Sequence, residues 1–425
     1  MSLVQTEIGT IAPDWKVVQL KDVAEKPQYG LTAKSVNLGD TKFLRITDIT
    51  DHGVNWDAVP YCVAPKKKID ACRLKTGDIV FARIGATTGK SFMISEPPDA
   101  VFASYLIRVR AGEELHPGFL IQFFQSQGYW QQIDANKHTN VKKGVNGSIL
   151  SELLLPLPPL PEQKKIAHIL STVQQAIEAQ ERIIQTTTEL KKALMHKLFT
   201  ERLRNEPQKQ TEIGPVPESW EVVPLNECAV VQTGIAKGRK VDSEIAIEVP
   251  YLRVANVQDG YLDLTEMKTI TIRQSEQQRY ALQDGDVVLT EGGDFDKLGR
   301  GFIWHGQVEG CVHQNHVFAV RPDTQRISSE FFAYQSQSPY GKTYFLSVAH
   351  KTTNLACINT TKLKGFPVLL PSKGEQQEIV DACQCIDRKI QTTQTKLSTL
   401  QDLFHTVLHE LMTAKTRVYD LEVTA

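Results

Sequence analysis

The chain has 425 residues, 41% of them hydrophobic and 23% charged, which is enough for two or three domains and gives no sign of long disorder. Its formal net charge of -1 lacks the basic excess that nucleic-acid-binding proteins often carry, so any DNA contact must come from local patches or from partner subunits. The sequence has no apolar run of about 18 residues, no leader-like start and no CxxC pair among its seven cysteines, so we expect a cytoplasmic protein with reduced thiols and no zinc site.

The sequence repeats itself once along its length. Thr-Glu-Ile-Gly at residues 6–9 recurs at 211–214, an offset of 205, and each copy is followed by a tryptophan, Trp15 or Trp220. Gly-Asp-Ile/Val-Val at 77–80 recurs at 285–288, and Glu-Gln at 162–163 recurs at 375–376, so the offset grows to 208 and then 213. The matches fall on apolar and turn positions while the polar loops differ, which predicts a duplicated scaffold with diverged loops.

Each half begins with a globular domain and ends with a long helix. Short β-branched and aromatic runs bounded by turn residues, such as 42–49 and 78–84, predict compact mixed domains. Proline-rich stretches at 156–161 and 367–371 then precede long stretches of helical periodicity. We therefore predict an α+β protein with two tandem globular α/β domains separated by two long helices. The predicted boundaries are 1–155 for the first domain, 156–205 for the first helix, 206–368 for the second domain and 369–425 for the second helix with a C-terminal tail.

The two helices carry apolar stripes in the same register. The second stripe alternates steps of four and three residues, which is typical of a coiled-coil seam, and the first follows it at an offset of 213 with polar interruptions. A single stripe would favour packing on its own domain, but two stripes that each close one copy of a repeat favour pairing with each other. A helix over residues 162–203 would be roughly 60 Å long. The predicted pairing residues are Ile166, Leu170, Val173, Ile177, Ile184, Leu194, Leu198, Ile379, Ile386, Ile390, Leu397, Leu400, Phe404 and Leu411.

Several motifs resemble catalytic or cofactor sites and fail on detail. The loop at residues 85–91 ends in Gly-Lys-Ser but has three residues between its glycines where a phosphate-binding loop has four. An adenine methyltransferase would need an Asn/Asp-Pro-Pro-aromatic motif, and neither Pro-Pro pair of the sequence, at 97–98 or 158–159, lies in one. His313 and His316 lack a clear third metal ligand, so the cluster at 313–316 is interpreted as a hydrogen-bonding strand edge. The run at 294–297 resembles a nuclease site in composition only and is interpreted as a loop.

These features together resemble the specificity subunit of type I restriction-modification systems. The resemblance is carried by Ile-Gly-x-x-x-x-x-Trp at 8–15 and 213–220, by the Gly-Asp motif at 77–80 and 285–288, and by Leu-Pro-Pro-Leu-Pro-Glu-Gln-Lys-Lys-Ile-Ala at 157–167. It covers nearly the whole chain and rests on the order and duplication of the motifs. The second copy departs from the pattern at 370–375, where the Pro-Leu-Pro run is lost.

The resemblance implies a protein that selects the DNA sequence to be modified and that catalyses no reaction itself. Each domain would recognise one half of a bipartite double-stranded DNA sequence, and the helices would form an antiparallel coiled coil that sets the spacer. Two DNA adenine methyltransferase (modification) subunits would dock on the helices, and motor-nuclease (restriction) subunits would join them. S-adenosylmethionine, ATP and Mg²⁺ would be bound by those partners, and neither cofactor nor metal by this chain.

Polar loops that differ between the copies at matching places supply candidates for DNA contact. Arginine suits guanine, asparagine and glutamine suit adenine, and lysine suits phosphate. Any one of these side chains is as readily explained as a solvated surface group. A protein-binding scaffold without DNA specificity is the main alternative, and a fused nuclease is a remoter one. The candidates are Lys66, Lys67, Lys68, Arg83, Lys90, Lys142, Lys143, Asn146, Arg239, Lys240, Lys297, Arg300, Gln314, Asn315, Lys351 and Asn354.

Overall fold

The structure is a computed structural model that describes residues 4–50, 53–139, 144–201, 207–238, 241, 244–353 and 355–418, without the side chains of 136–139 and 296. It divides into two compact units, Met1–Arg182 with Gln394–Ala425 (unit 1) and Ile183–Thr393 (unit 2). Each unit joins one globular part, called domain 1 or domain 2, to about half of each long helix. The predicted boundaries keep each helix whole, and they stay a prediction.

Domain 1 is built from short strands and helices and leads into the first long helix. Its strands are β1 (Val4–Thr6), β2 (Gly9–Ile11), β3 (Lys16–Gln19), β4 (Gln28–Tyr29), β5 (Thr41–Leu44), β6 (Ile49–Thr50), β7 (Gly53–Val54), β8 (Tyr61–Cys62), β9 (Ile79–Ala82), β10 (Ser91–Met93), β11 (Ala100–Phe102), β12 (Leu106–Val109) and β13 (Leu154–Leu157). Its helices are α1 (Leu20–Val23), α2 (Lys66–Cys72), α3 (Pro117–Phe123), α4 (Gln127–Thr139), α5 (Gly147–Ser151) and the long α6 (Leu160–Thr200), with a 3-10 turn at Ile46–Asp48.

Domain 2 follows the same plan. Its strands are β14 (Gln208–Gln210), β15 (Pro215–Pro217), β16 (Glu221–Pro224), β17 (Ala229–Thr233), β18 (Ala246–Leu252), β19 (Lys268–Arg273), β20 (Val287–Thr290), β21 (Gly292–Gly293), β22 (Gly301–Ile303), β23 (Val312–His313), β24 (Val317–Pro322), β25 (His350–Lys351), β26 (Ala356–Cys357) and β27 (Pro367–Leu370). Its helices are α7 (Gln274–Tyr280), α8 (Ser329–Gln337), α9 (Pro339–Val348), α10 (Thr360–Lys364) and the long α11 (Lys373–Met412), with 3-10 turns at Leu225–Glu227, Val254–Asn256 and Phe295–Lys297.

The two domains have the same sheet topology. Domain 1 contains an antiparallel sheet in the order β10-β9-β12-β4, a sheet β11-β5-β8 and a pair β13-β3. Domain 2 contains the counterparts β22-β20-β24-β17, β23-β18-β19 and β27-β16, and adds a small sheet β21-β26-β25. In both domains the first strand of the three-stranded sheet pairs in parallel with the second. The predicted α+β architecture of two similar domains and two long helices is therefore confirmed.

The repeated Gly-Asp motif forms a turn before the central strand of each domain. Gly77 has a φ of +89°, a left-handed conformation that glycine adopts without strain. The buried carboxylate of Asp78 accepts hydrogen bonds of 2.7 and 2.9 Å from Arg110. Asp286 accepts bonds of 2.7 and 2.8 Å from Arg321 in the same way. Because a buried carboxylate is costly without such a partner, the motif belongs to the scaffold and not to the recognition surface.

A buried glutamine in the first turn of each long helix forms hydrogen bonds with backbone groups of neighbouring loops. The amide of Gln163 donates to the carbonyl oxygens of Glu114 and Pro158, both at 2.9 Å, and its oxygen accepts from the His116 N–H. Gln376 makes the equivalent contacts at the start of α11, with the carbonyl oxygens of residues 326 and 371 and the N–H of residue 328. The start of α11 thus keeps the same set of glutamine hydrogen bonds although its Pro-Leu-Pro run is lost.

Both long helices contribute to the core of each unit. In unit 1, Ile166 and Leu170 near the start of α6 share a core with Phe404 and Leu411 near the end of α11. In unit 2, Leu198 near the end of α6 shares a core with residues 379, 380 and 383 near the start of α11. Contacts between the start of one helix and the end of the other are those of an antiparallel pair. The structure places all fourteen predicted pairing residues in buried or half-buried positions.

Candidate nucleic-acid interface

In domain 1, two of the predicted DNA-contact residues lie at the ends of neighbouring strands, and a third lies beside them at the start of a helix. Arg83 follows β9, and Lys90 precedes β10, whose backbone pairs with β9 through an Ala82 N–H to Lys90 O bond of 2.9 Å. Asn146 precedes α5, and the N–H of the residue before it donates to the Arg83 carbonyl at 3.1 Å. The fold therefore brings Arg83, Lys90 and Asn146 together from positions up to 63 residues apart.

Two exposed tyrosines belong to this cluster and were not among the predicted residues. The guanidinium of Arg83 lies over the Tyr29 ring, 5.1 Å from its centroid, and the Tyr29 hydroxyl accepts a 2.9 Å hydrogen bond from the Gly147 N–H. The Arg83 N–H donates to the carbonyl of Tyr105 at 3.0 Å. Tyr29 directly precedes Gly30, whose counterpart Gly234 lies at an offset of 204, and a search for aromatic residues beside repeated glycines would have found it.

Asn146 has a structural role in addition to its predicted one. Its side-chain oxygen accepts a 2.9 Å hydrogen bond from the N–H of Ile149 and caps α5. Asn359, at an offset of 213, caps α10 through the same bond to Lys362 N–H. Because the asparagine is the same in both copies and caps a helix in both, this cap is a property of the scaffold, and the DNA contact of Asn146 stays a prediction.

The loop between β9 and β10 is a turn and not a phosphate-binding loop. Gly85 and Gly89 both have φ of +89°, and the Thr88 hydroxyl donates to the Gly85 carbonyl at 2.7 Å. A strand follows this loop, whereas a phosphate-binding loop leads into a helix whose N-terminus faces the phosphates.

In domain 2, Glu291 lies at the centre of the corresponding cluster. Its N–H donates to the His316 carbonyl at 2.9 Å, and its own carbonyl accepts from the Ile358 N–H at 2.9 Å. One oxygen of its carboxylate lies 2.5 Å from His316 Nδ1. His316 Nε2 lies 3.3 Å from the amide nitrogen of Asn315, so a polar chain of three side chains reaches the surface.

Four other predicted residues, Lys297, Arg300, Gln314 and Lys351, lie on segments that neighbour this chain. The Arg300 carbonyl accepts from Thr290 N–H, and the Lys297 carbonyl accepts from the Thr290 hydroxyl at 2.9 Å, so both residues lie next to the end of β20. Lys297 also pairs with Asp294. Lys351 is exposed on β25, which joins β21 through β26. The side chain of Gln314 accepts a 3.2 Å hydrogen bond from Val254 N–H.

Three of the predicted residues lie away from these clusters, on α2. Lys66, Lys67 and Lys68 form the exposed first turn of α2, which packs beside β11. Lys142, Lys143, Arg239, Lys240 and Asn354 lie outside the described residues.

His313 is buried and is not part of the polar chain of Glu291, His316 and Asn315. Its Nδ1 donates to the carbonyl of Val317 at 2.7 Å, and its Nε2 is buried without a hydrogen-bond partner in the described part of the chain. Burial lowers the pKa of His313, which keeps the ring neutral. The predicted strand edge therefore divides into a buried histidine on β23 and a segment from Gln314 to His316 whose first two residues are half-buried and whose third is exposed.

The described residues were compared with the requirements of a metal site and of a membrane-spanning helix. The described residues contain no group of three or more His, Cys, Asp or Glu side chains arranged to hold a metal ion. None of the described helices is long and apolar enough to cross a membrane.

Comparison with known proteins gives consistent matches along the whole chain. A family profile described as "Type I restriction modification DNA specificity domain" matches residues 13–188 and 217–402. The "Putative type I restriction enzyme MjaX specificity subunit" of Methanocaldococcus jannaschii is 25% identical over 428 residues, covering 97% of this chain and 96% of its own. The "Type I restriction enzyme EcoBI specificity subunit" of Escherichia coli is 29% identical over 274 residues, covering 60% of this chain and 55% of its own. A crystal structure of the "Type-I restriction-modification system S subunit from M. genitalium" has the same fold, with a TM-score of 0.54 and 17% identity over 94% of this chain and 96% of that one.

Proposed function

The chain belongs to the type I restriction-modification DNA specificity family, and from that premise we propose that its two domains recognise the two halves of one bipartite DNA sequence. The chain is a non-catalytic DNA-recognition subunit. The observation that carries the proposal is that one fold occurs twice while the exposed side chains at equivalent strand ends differ. Phosphate contacts position a protein on DNA and base-edge contacts specify the sequence, so two such surfaces can select two different half-sites.

The long helices have two roles in this proposal. They set the number of unspecified base pairs between the half-sites, and they provide the docking surface for two DNA adenine methyltransferase subunits. Large apolar side chains remain exposed on them outside the pairing seam, at Ile183 and Leu190 on α6 and at Leu403 on α11. Exposed apolar side chains on otherwise polar helices suit a surface that a partner covers. Motor-nuclease subunits join the same assembly, and S-adenosylmethionine, ATP and Mg²⁺ are bound by those partners.

Methylome sequencing tests the proposed function directly. A host that lacks only the gene for this chain is compared with the same host after the gene is restored and with one that carries an empty vector. We expect methylated adenines at one bipartite motif to vanish with the deletion and to return only with the gene. An unchanged methylome in a host whose modification subunits are expressed and active would contradict the proposal.

A further inference from the structure

Arg83 and Glu291 occupy the same backbone position in the two domains. They are related by the offset of 208 that also relates the two Gly-Asp motifs, and each directly follows the central strand, β9 or β20. The Arg83 N–H donates to the Tyr105 carbonyl at 3.0 Å, and the Glu291 N–H donates to the His316 carbonyl at 2.9 Å. The carbonyl of each accepts from the segment that precedes α5 or α10. The fold therefore presents these two side chains at equivalent places on the surface.

The two side chains have opposite charge and opposite hydrogen-bonding capacity. The guanidinium of Arg83 is stacked on the ring of Tyr29, and in the described part of the chain no carboxylate pairs with it. It has only donors to offer, in a planar fork. The carboxylate of Glu291 has only acceptors to offer, and the hydrogen bond from His316 holds it in place while leaving its second oxygen unused by that bond.

The base edges in the major groove distinguish these two groups. Guanine presents two acceptors, O6 and N7, which match the arginine fork. Cytosine presents an amino donor with no acceptor on that edge, whereas adenine places the N7 acceptor beside its amino group and would repel a carboxylate. A carboxylate at this position therefore favours cytosine over adenine.

We propose that Arg83 recognises a guanine in one half-site and that Glu291 recognises a cytosine in the other. Each half-site then contains a G·C pair at the equivalent place, contacted through its guanine in domain 1 and through its cytosine in domain 2. The stacking on Tyr29 and the bond to His316 act as positioning contacts, because they fix each side chain before DNA binds. The inference rests on the proposed function and adds the base class that each domain selects.

The experiment replaces one residue at a time in the full-length chain and reads the methylated motif in the host. Arg83→Gln should relax one G·C position in one half-site, and Glu291→Gln should relax one position in the other. In binding assays of the full chain with duplexes that differ only at that base pair, the preference should fall by about 5- to 150-fold. Glu291→Arg should convert the preferred base at its position from cytosine to guanine, a gain that misfolding cannot produce.

Matched controls come from domain 2 itself. Arg279 also lies over a tyrosine ring, 5.2 Å from the centroid of Tyr280, but it is on α7, which follows β19 and not β20. Arg279→Gln, and Glu309→Gln at an exposed carboxylate, should leave both base preferences unchanged.

The outcomes separate the inference from the proposed function. A wild-type chain that directs no bipartite methylation overturns the proposed function. A wild-type bipartite motif that survives both Arg83→Gln and Glu291→Gln with unchanged bases overturns only the inference, as does a loss of preference spread evenly over the motif. A variant that directs no methylation is tested by the binding assay alone. If its preference for the wild-type base pair at the tested position is unchanged in that assay, the inference is overturned.

Discussion

Arg417 joins the C-terminal end of unit 1 to its N-terminal domain, and its replacement by methionine should destabilise that unit. Its guanidinium donates to both oxygens of Glu162 at 2.9 and 3.1 Å and to both oxygens of Asp14 at 2.7 Å. The same Glu162 carboxylate accepts a 2.9 Å hydrogen bond from the indole N–H of Trp15. Arg417→Met keeps most of the aliphatic volume and removes every charged contact of the guanidinium.

The expected loss is dominated by Glu162. Its side chain is only 1% exposed, so Arg417→Met leaves a buried carboxylate without its cation, which typically costs about 3 to 5 kcal/mol. The Asp14 side chain is 49% exposed, and such pairs contribute about 0.2 to 1 kcal/mol. We therefore expect a loss of at least about 3 kcal/mol, or about 6 to 12 °C in the melting temperature of a unit of this size. The hydrogen bond from Arg417 lowers the pKa of Asp14, so this smaller contribution is present above the unfolded pKa and is lost as the pH falls through the folded one.

Urea unfolding of the full-length chain measures the effect. Lys415→Met, two residues away and exposed, is the matched control and should leave the unfolding midpoint unchanged. Adding Glu162→Gln to Arg417→Met removes the unpaired charge, so the double variant should be more stable than Arg417→Met alone. The reasoning fails if Arg417→Met unfolds at the wild-type midpoint, or if the double variant loses the sum of the two single losses.

Three further changes test other parts of the scaffold. Asp387→Ala should destabilise unit 2 by about 1.5 to 3 kcal/mol, because it leaves the half-buried ammonium of Lys191 without its 2.6 Å partner, and a double-mutant cycle on urea unfolding measures the coupling. Burial lowers the pKa of His313, so the unfolded chain binds more protons below about pH 6.5 and stability should fall as the pH falls; His313→Phe should reduce this dependence in unfolding curves at pH 7 and pH 5. Gly234→Ala should prevent folding of domain 2, because a Cβ there would overlap the His313 carbonyl, whereas Gly374→Ala, in open space on α11, should raise the melting temperature slightly.

The features of the fold that could be predicted are those encoded in local periodicity. The helix predicted from the proline stop at residues 156–161 is α6, Leu160–Thr200, and the one predicted after 367–371 is α11, Lys373–Met412. The stretch at 42–49 overlaps the strand Thr41–Leu44, and 78–84 contains Ile79–Ala82. Strand pairing was not predictable in the same way, because the parallel pairing of β11 with β5 joins residues nearly 60 positions apart and leaves no local pattern.

The residue types of the candidate interface could be predicted from the sequence, but the positions of those residues in the fold could be predicted only in part. The sequence predicts Lys90, Arg300 and Asn315 as polar loop residues, and the structure locates them at strand ends near Arg83 or Glu291. The sequence does not single out Glu291, because basic and amide side chains, and not carboxylates, are the ones expected to contact DNA. Its place in the cluster depends on backbone bonds to residues 316 and 358, which are distant in sequence.

The two junctions between domain and helices differ in chemistry although the scaffold is the same. In unit 2, Lys191 Nζ lies 2.6 Å from Asp387, whose second oxygen accepts a 2.7 Å bond from the hydroxyl of Tyr334. At the offset of 213, the places of Lys191 and Asp387 are taken in unit 1 by Phe404 and Gln174. An ammonium in the buried place of Phe404 would lose solvent and would have Gln174 where unit 2 has Asp387, and Asp387 opposite a phenylalanine would lose its cation. The end of α6 and the start of α11 are therefore matched to domain 2 by a charged pair that unit 1 replaces with Phe404 and Gln174.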